Sequence, residues 1–233
     1  MATAIRPGAN NIGFAIPIDA VRDVLPQLRE RGHVVRGKLG LVFQPITNEL
    51  AKALSLKAAR GALVAQIEAG GAAARAGLTP GDVIVSVTVT EIPHAEALPR
   101  NVARNSPGTQ IKITFLRDGK AQETKATLDT LEDDATQRGP SLKAPKVSPK
   151  NNKLGIQVSD HKAGGVRIEG IAPHSPIKDL RPGDVLVELG GKEVKNVDVL
   201  EKLLGDAKPG TMLVARVRRG ESLRFVAIPV PER

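Results

Sequence analysis

The chain has 233 residues, 41% apolar and 25% charged, with a net charge of +9 and no cysteine, tryptophan or tyrosine. That length suits two domains of about 100 residues. The missing cysteines exclude disulfides, thiolate metal ligands and a cysteine nucleophile, and no apolar run of about 18 residues is present to cross a bilayer as a helix.

The chain opens on "MATAIRPGAN", which has no apolar stretch behind Arg6 and does not read as a secretory leader. Residues 12–28, "IGFAIPIDAVRDVLPQL", read as a strand followed by a helix with an apolar stripe of Val21, Val24, Leu25 and Leu28. Pro26 is expected to interrupt that helix.

Lys38-Leu39-Gly40-Leu41 follows and leads into an extended "VFQ". A short helix, "NELAKAL", is predicted at 48–54. Residues 77–87, "GLTPGDVIVSV", then place Pro and Gly at the centre of Thr79-Pro80-Gly81-Asp82, the chemistry of a type II turn. The turn launches Val83-Ile84-Val85, a buried strand by its β-branched content. Leu98 and Val102, four apart, share one face of a helix. Pro107-Gly108-Thr109 precedes "QIKITF", whose alternation predicts a half-buried strand, and Asp118-Gly119 turns it into a hairpin.

Residues 131–152 are polar, contain three prolines and show no apolar period, so they read as a linker. The pattern then repeats. Lys153-Leu154-Gly155-Ile156 stands 115 residues after its first copy, and "DLRPGDVLVEL" at 179–189 stands 102 after "GLTPGDVIVSV", with six of eleven positions identical. Leu200 and Leu204 take the places of Leu98 and Val102. Pro209-Gly210-Thr211 again lies 27 residues beyond the Pro-Gly turn, and Arg219-Gly220 marks the second hairpin. The difference between 115 and 102 is the extra helical insertion in the first copy.

An apolar-Gly-apolar loop, a strand, "PGDVI", a helix and a last hairpin, in that order, resemble PDZ domains of the bacterial, circularly permuted type. Two in tandem resemble the C-terminal half of the HtrA/DegP family of periplasmic serine endoproteases. Residues 12–28 are similar to the last strand and closing helix of that family's trypsin-like domain, and "RGKLGL" stands where the family passes into its first PDZ domain. The resemblance implies a mainly β fold with short α-helices, each PDZ domain a partly open barrel or sandwich. It divides the chain into a remnant of the protease domain at 1–36, a first PDZ domain at 37–132, a flexible linker at 133–150 and a second PDZ domain at 151–233. It also implies a periplasmic location and a parent protein that is a serine endopeptidase.

Two positions depart from the family's pattern. Lys38 stands where an aromatic residue is common. Thr88-Val89 stands where Asn-Gly is common, and is expected to lengthen or reshape a surface turn. The family's "GNSGG" oxyanion loop is absent from the sequence, and His33, His94, His161 and His174 are expected at the surface, so no catalysis is expected of this chain. Neither cofactor nor metal is expected.

The implied ligand is the C-terminal or extended segment of an unfolded polypeptide, added as a strand to the edge that follows each apolar-Gly-apolar loop. The resemblance assigns the first site to Leu39, Gly40, Leu41, Val42, Phe43, Leu98 and Val102, and the second to Leu154, Gly155, Ile156, Val158, Leu200 and Leu204. Arg36, Lys38 and Lys153 either favour the ligand carboxylate or are plain surface charge. Further expected partners are the parent chain's protease domain and other copies in an oligomer. An assembly module for the protease cage and a basic polyanion-binding module are the alternatives. The scattered Lys and Arg, and the presence of only Phe14, Phe43, Phe115 and Phe225 as aromatics, argue against nucleic acid.

Overall fold

A computed structural model of the chain describes residues 2–5, 13–15, 18–32, 34–131, 150–151, 154–173, 175–177 and 179–230. The expected linker at 133–150 falls, except for Lys150, outside the described residues.

Strands β1 (Ala2–Ile5) and β2 (Gly13–Ala15) pair antiparallel ahead of helix α1 (Ile18–Arg31). The helix runs on through Pro26, contrary to expectation. A mid-helix proline forfeits one i→i−4 bond and strains its own turn, and here the helix continues on both sides. Of the stripe, Leu25 and Leu28 are exposed and Val21 is half-buried, and Ile18 at the start of the helix is 62% exposed.

The first copy comprises β3 (Arg36–Lys38), β4 (Leu41–Gln44), α2 (Asn48–Ala53), β5 (Ala62–Ile67), α3 (Ala72–Arg75), β6 (Val83–Val87), β7 (Thr90–Glu91), α4 (Ala97–Ala103), β8 (Gln110–Arg117), β9 (Lys120–Thr127) and β10 (Asp129–Leu131). Its main sheet runs β4-β5-β6-β8-β9, with β7 on β6, and β10 pairs separately with β3. The second copy comprises β11 (Lys150–Asn151), β12 (Ile156–Asp160), β13 (Val166–Ile171), β14 (Val185–Leu189), β15 (Lys192–Glu193), α5 (Val197–Asp206), β16 (Met212–Arg219) and β17 (Ser222–Pro229), in the sheet order β11-β12-β13-β14-β16-β17. Each sheet is open rather than closed into a barrel, and each copy has its own core. Leu98, Ile111 and Ile113 belong to the first core, and Ile156, Ile168 and Leu186 to the second.

The Pro-Gly tetrads form the expected turns. Gly81 and Gly183 have φ of +99° and +94°. The N–H of Asp82 and of Asp184 donates back to the carbonyl of Thr79 and of Arg181 at 3.2 and 3.1 Å. The two aspartates do more than turn. Both are 1% exposed. Arg117 grips Asp82 with two bonds of 2.7 Å, and Arg219 grips Asp184 with two of 2.6 Å. The same forks also donate to Gly77 O and Asp179 O. Each guanidinium is pushed above its ordinary pKa by the hydrogen bond to its aspartate, against the opposing effect of burial. The pair ties the start of β6 or β14 to the end of β8 or β16, two segments far apart in sequence.

Thr88-Val89 does not lengthen its turn. It joins β6 directly to β7 as a two-residue loop, with Thr88 at φ +57° and Val89 93% exposed. The matching residue 102 later is Gly190, also at φ +57°. The first loop residue has the same φ in both copies, and in the first a β-branched residue bears the strain; the second differs, since Gly191 has φ +76° and Val89 is not in the left-handed region.

The two copies are in contact. Leu50 on α2, with Leu63 and Val83, packs against Phe225 and Ala227 on β17 in a third apolar cluster. Gln44 clamps this seam: its side chain donates to Phe225 O and accepts from Phe225 N, both at 2.9 Å. The insertion α2 therefore has a purpose that its sequence alone did not reveal. It is capped by Thr47, whose hydroxyl accepts from Leu50 N, and it presents the first domain's contribution to the seam.

Candidate functional site

In the first domain Leu39 and Gly40 form a loop whose carbonyls are engaged, Leu39 O by Ala73 N at 2.8 Å and Gly40 O by Glu68 N at 2.9 Å. The N–H groups of Leu39 and Gly40 have no acceptor among the described residues. Gly40 suits this position because its φ is +68°, a region that side chains rarely adopt; a Cβ would also press on the movable end of Glu68, at 3.0 Å from its Oε2. The loop is thus fastened through its acceptors, and its two donors have no acceptor among the described residues.

Beyond the loop, β4 is the terminal strand of its sheet, paired only with β5 among the described residues. Between this open edge and α4 lies a groove of about 640 Å³. Leu39, Leu41, Phe43, Leu98 and Val102, the predicted pocket residues, all line it. They alternate along β4 and repeat at helical spacing along α4, as the two periods require. Val42 lies between Leu41 and Phe43 and is 48% exposed. Its side chain is absent from the groove lining, so its contribution to the edge is backbone. Arg36 and Lys38 stand on the groove wall. Lys38 is already paired, with Glu68 at 2.7 Å.

Several residues of the site were not singled out in the sequence. Gln27 and Val34, from α1 and the segment after it, also line the groove, as does Leu131, and Gln27 Oε1 accepts from Val35 N at 2.9 Å. Arg100 and Arg104 line the helix side. Asp129 braces the loop from below. It stands opposite Lys38 in the β10–β3 pair, accepts from Ala72 N at 2.8 Å and pairs with Arg75 at 2.6 Å. No local signal marks Asp129, because its partners come from α3, more than fifty residues earlier.

The Asp129 carboxyl lies below the ordinary carboxylate range, chiefly through the hydrogen bond from Arg75, partly offset by burial and reinforced by the Ala72 N–H. A carboxyl depressed in the folded state stabilises above its unfolded value of about 3.9 and loses that effect as pH falls through the folded value. Acidification below about pH 4 is therefore expected to loosen the loop and the β3–β10 pair before the core opens. Amide exchange across the β3–β10 pair between pH 6 and pH 3 reads this. An Asp129→Asn variant should show the faster exchange at every pH, and a pH response identical to that of the unaltered protein would refute the assignment.

The second domain builds the same frame differently. Gly155 has φ +66° and its carbonyl accepts from Ala172 N at 2.8 Å. Leu154, Ile156, Val158 and Leu200 are buried in the second core, with Leu204 packed against it. Lys153 falls outside the described residues. The edge of β12 is already taken: β11 pairs with it antiparallel, Lys150 opposite Val158 and Asn151 opposite Gln157. Among the described residues no helix is long and apolar enough to cross a membrane, and no cluster of side chains is arranged to hold a metal.

The frame is shared with known proteins. A family model described as "PDZ domain" matches residues 37–128 and 152–230. The chain is 37% identical over 210 residues to the "Probable periplasmic serine endoprotease DegP-like" of Hahella chejuensis, a match covering 84% of the chain and 45% of the relative. It is 34% identical over 218 residues to the "Periplasmic serine endoprotease DegP" of Salmonella typhimurium, covering 92% of the chain and 44% of the relative. The chain spans about half the length of the curated relatives it matches. Among solved structures it is similar to a variant of the HtrA-type protease AlgW with decapeptide, at TM-score 0.51 and 35% identity over 59% of this chain and 43% of that one. It is also similar to the HtrA-type protease AlgW with tripeptide, at TM-score 0.50 and 36% identity over 57% and 45%.

Proposed function

Since this chain belongs to the PDZ domain family and is homologous over most of its length to DegP-type serine endoproteases, we propose that it is a peptide-binding module whose first domain is the reader. The ligand is an extended segment with a free C-terminus and an apolar last side chain. It adds as a strand to β4, its carboxylate meets the N–H groups of Leu39 and Gly40, and its last side chain enters the groove between β4 and α4. The observation that carries this reading is the conjunction, among the described residues, of two N–H donors without acceptors, an unpaired strand edge and an apolar groove at one place. The peptides named in the two similar AlgW structures support it.

In the second domain β11 lies where such a ligand would pair, which supports a structural rather than a reading role for that copy. In the parent protein the first domain would deliver apolar chain ends, as unfolded proteins display them, to a periplasmic serine protease domain and regulate it.

One peptide in free-acid and amidated forms tests this. Amidation removes the charge that the two N–H groups receive, and a hydrogen bond to a charged group is worth roughly 1.5–3 kcal/mol. The free acid is expected to bind at least tenfold more tightly in a fluorescence anisotropy titration of the whole chain. Equal affinity for the two forms would overturn the carboxylate assignment.

A further inference from the structure

The two copies put one row of residues to different uses. In the first copy Leu63, Val83 and Leu116 stand opposite one another across β5, β6 and β8, and all three join the seam with Phe225. In the second copy the matching row is Arg167, Val185 and Arg218, across β13, β14 and β16. Residues opposite one another share a face of the sheet, and this face looks away from the second core. Val185 is buried, yet it belongs to none of the three apolar clusters. Its cover is local. Gly165 passes so closely that a Cβ there would come within 2.9 Å of Val185 Cγ1, and an arginine flanks it on each side. Arg216, two residues before Arg218 on the same face, extends the basic surface toward Phe225, which stands opposite it.

The charge of these three arginines is only partly answered. Arg167 pairs with Glu169 at 3.6 Å and Arg216 with Glu188 at 2.9 Å. Arg218 makes no ion pair among the described residues. It reaches only His161 Nδ1, at 3.4 Å, and that nitrogen already accepts from Ala163 N. The Nε atoms of Arg167 and Arg216 are buried with no acceptor among the described residues. A buried donor left unpaired is costly, and shielding Val185 does not demand it, because arginine stems can cover apolar surface with their heads in water. The fold does not demand arginine either. In the first copy Leu63 faces Val83 where Arg167 faces Val185, and Thr114 and Leu116 stand 102 residues before Arg216 and Arg218.

We infer that the outer face of β13, β14 and β16 is a second binding surface, which takes an acidic segment of polypeptide, with Arg218 as its anchor. The face itself selects the carboxylate: the acidic groups that already meet its arginines are glutamate side chains, and an arginine fork matches a carboxylate with two parallel bonds. Arg167 and Arg218 stand two strands apart, about 10 Å, and Arg216 lies roughly 7 Å along β16 from Arg218. A segment whose acidic side chains recur at every second residue, also roughly 7 Å apart when extended, meets Arg218 and one neighbour together. This surface needs no free C-terminus and lies in the other domain from the peptide groove, so it does not depend on the reader.

Fluorescein-labelled hexaglutamate with an amidated C-terminus, titrated into the whole chain by anisotropy, tests this. The probe has neither the free carboxylate end nor the apolar last side chain that the first domain would read. It is expected to bind, and more weakly as salt rises. Arg218→Gln, which keeps a long stem beside Val185, should weaken binding about tenfold, the scale of one lost hydrogen bond to a charged group, and Arg218→Glu should weaken it further. Lys120→Glu, an exposed change on the first-domain hairpin, alters the net charge as much as Arg218→Glu does and should cost less than about threefold, the scale of a weak surface interaction. Equal weakening by Lys120→Glu and Arg218→Glu would mean that net charge alone attracts the probe, and would overturn the site. Full affinity in Arg218→Gln would overturn the anchor. No binding of hexaglutamate, with a free-acid apolar peptide still bound, would overturn this surface and leave the first-domain reader standing.

Discussion

Replacing Arg117 with Leu is expected to destabilise the first domain by about 3–5 kcal/mol, because it leaves a charged carboxylate buried without its partner. Asp82 is 1% exposed and holds the Pro-Gly turn by accepting from Thr79 N at 2.7 Å, while Arg117 grips it from the end of β8. The reverse change, Asp82→Ala, should cost less. The Arg117 side chain is 33% exposed, so the stranded guanidinium can turn to water, and it keeps its contact over the Phe115 ring at 5.1 Å. Arg117→Lys should fall between them, since an ammonium cannot form the two-pronged bond. Urea unfolding of the three variants measures this order. A loss below about 1 kcal/mol in Arg117→Leu would place the pair among ordinary surface bridges. The second domain repeats the arrangement with Arg219 and Asp184, and the same ranking should hold there.

The second large effect concerns the seam. In the first domain, Lys112 and Glu123 on the outer face of the last hairpin form an exposed ion pair at 2.8 Å. The residues 102 later are Val214 and Phe225, and both join the apolar cluster between the domains. On β17, Val226 and Ile228 face the second core, and Phe225 and Ala227 face the first domain. Phe225→Glu therefore restores the residue that the first copy carries at an equivalent solvent-facing site. It should leave the second domain folded and remove the docking. Loss of a buried Phe side chain corresponds to about 3–5 kcal/mol, enough to separate the domains. Calorimetry is expected to show two transitions in the variant where the unaltered chain shows one, and scattering should give a larger radius of gyration. A single transition in Phe225→Glu at an unchanged temperature would mean that the seam contributes nothing to cohesion.

The sequence by itself determined the features that neighbouring residues encode. The duplication, the Pro-Gly turns, the hairpins and the apolar-Gly-apolar loops were all legible, because each rests on a local constraint: a φ that only glycine tolerates easily, or a period of 2 or 3.6. The apolar faces that meet at the groove floor were legible for the same reason, and the resemblance implied that they meet. Leu41 and Phe43 alternate on a strand, and Leu98 and Val102 share a helix face. Even the seam left a trace, since "FVAI" at 225–228 is a continuous apolar run where "ETKA" at 123–126 is not. Such a run shows that a strand is buried on both faces but not what covers it.

What covers it was decided by the tertiary structure, which brings α2 against β17. Tertiary structure also decided that Asp82 and Asp184 are buried ion-pair partners rather than turn residues alone, and that Asp129 braces the loop. Among the described residues it left the edge of β4 open and covered that of β12 with β11. Each of these is a pairing between residues distant along the chain, or the outcome of which segment reaches an edge first. Local propensity and periodicity carry no information about either, because both depend on how the finished elements meet in space.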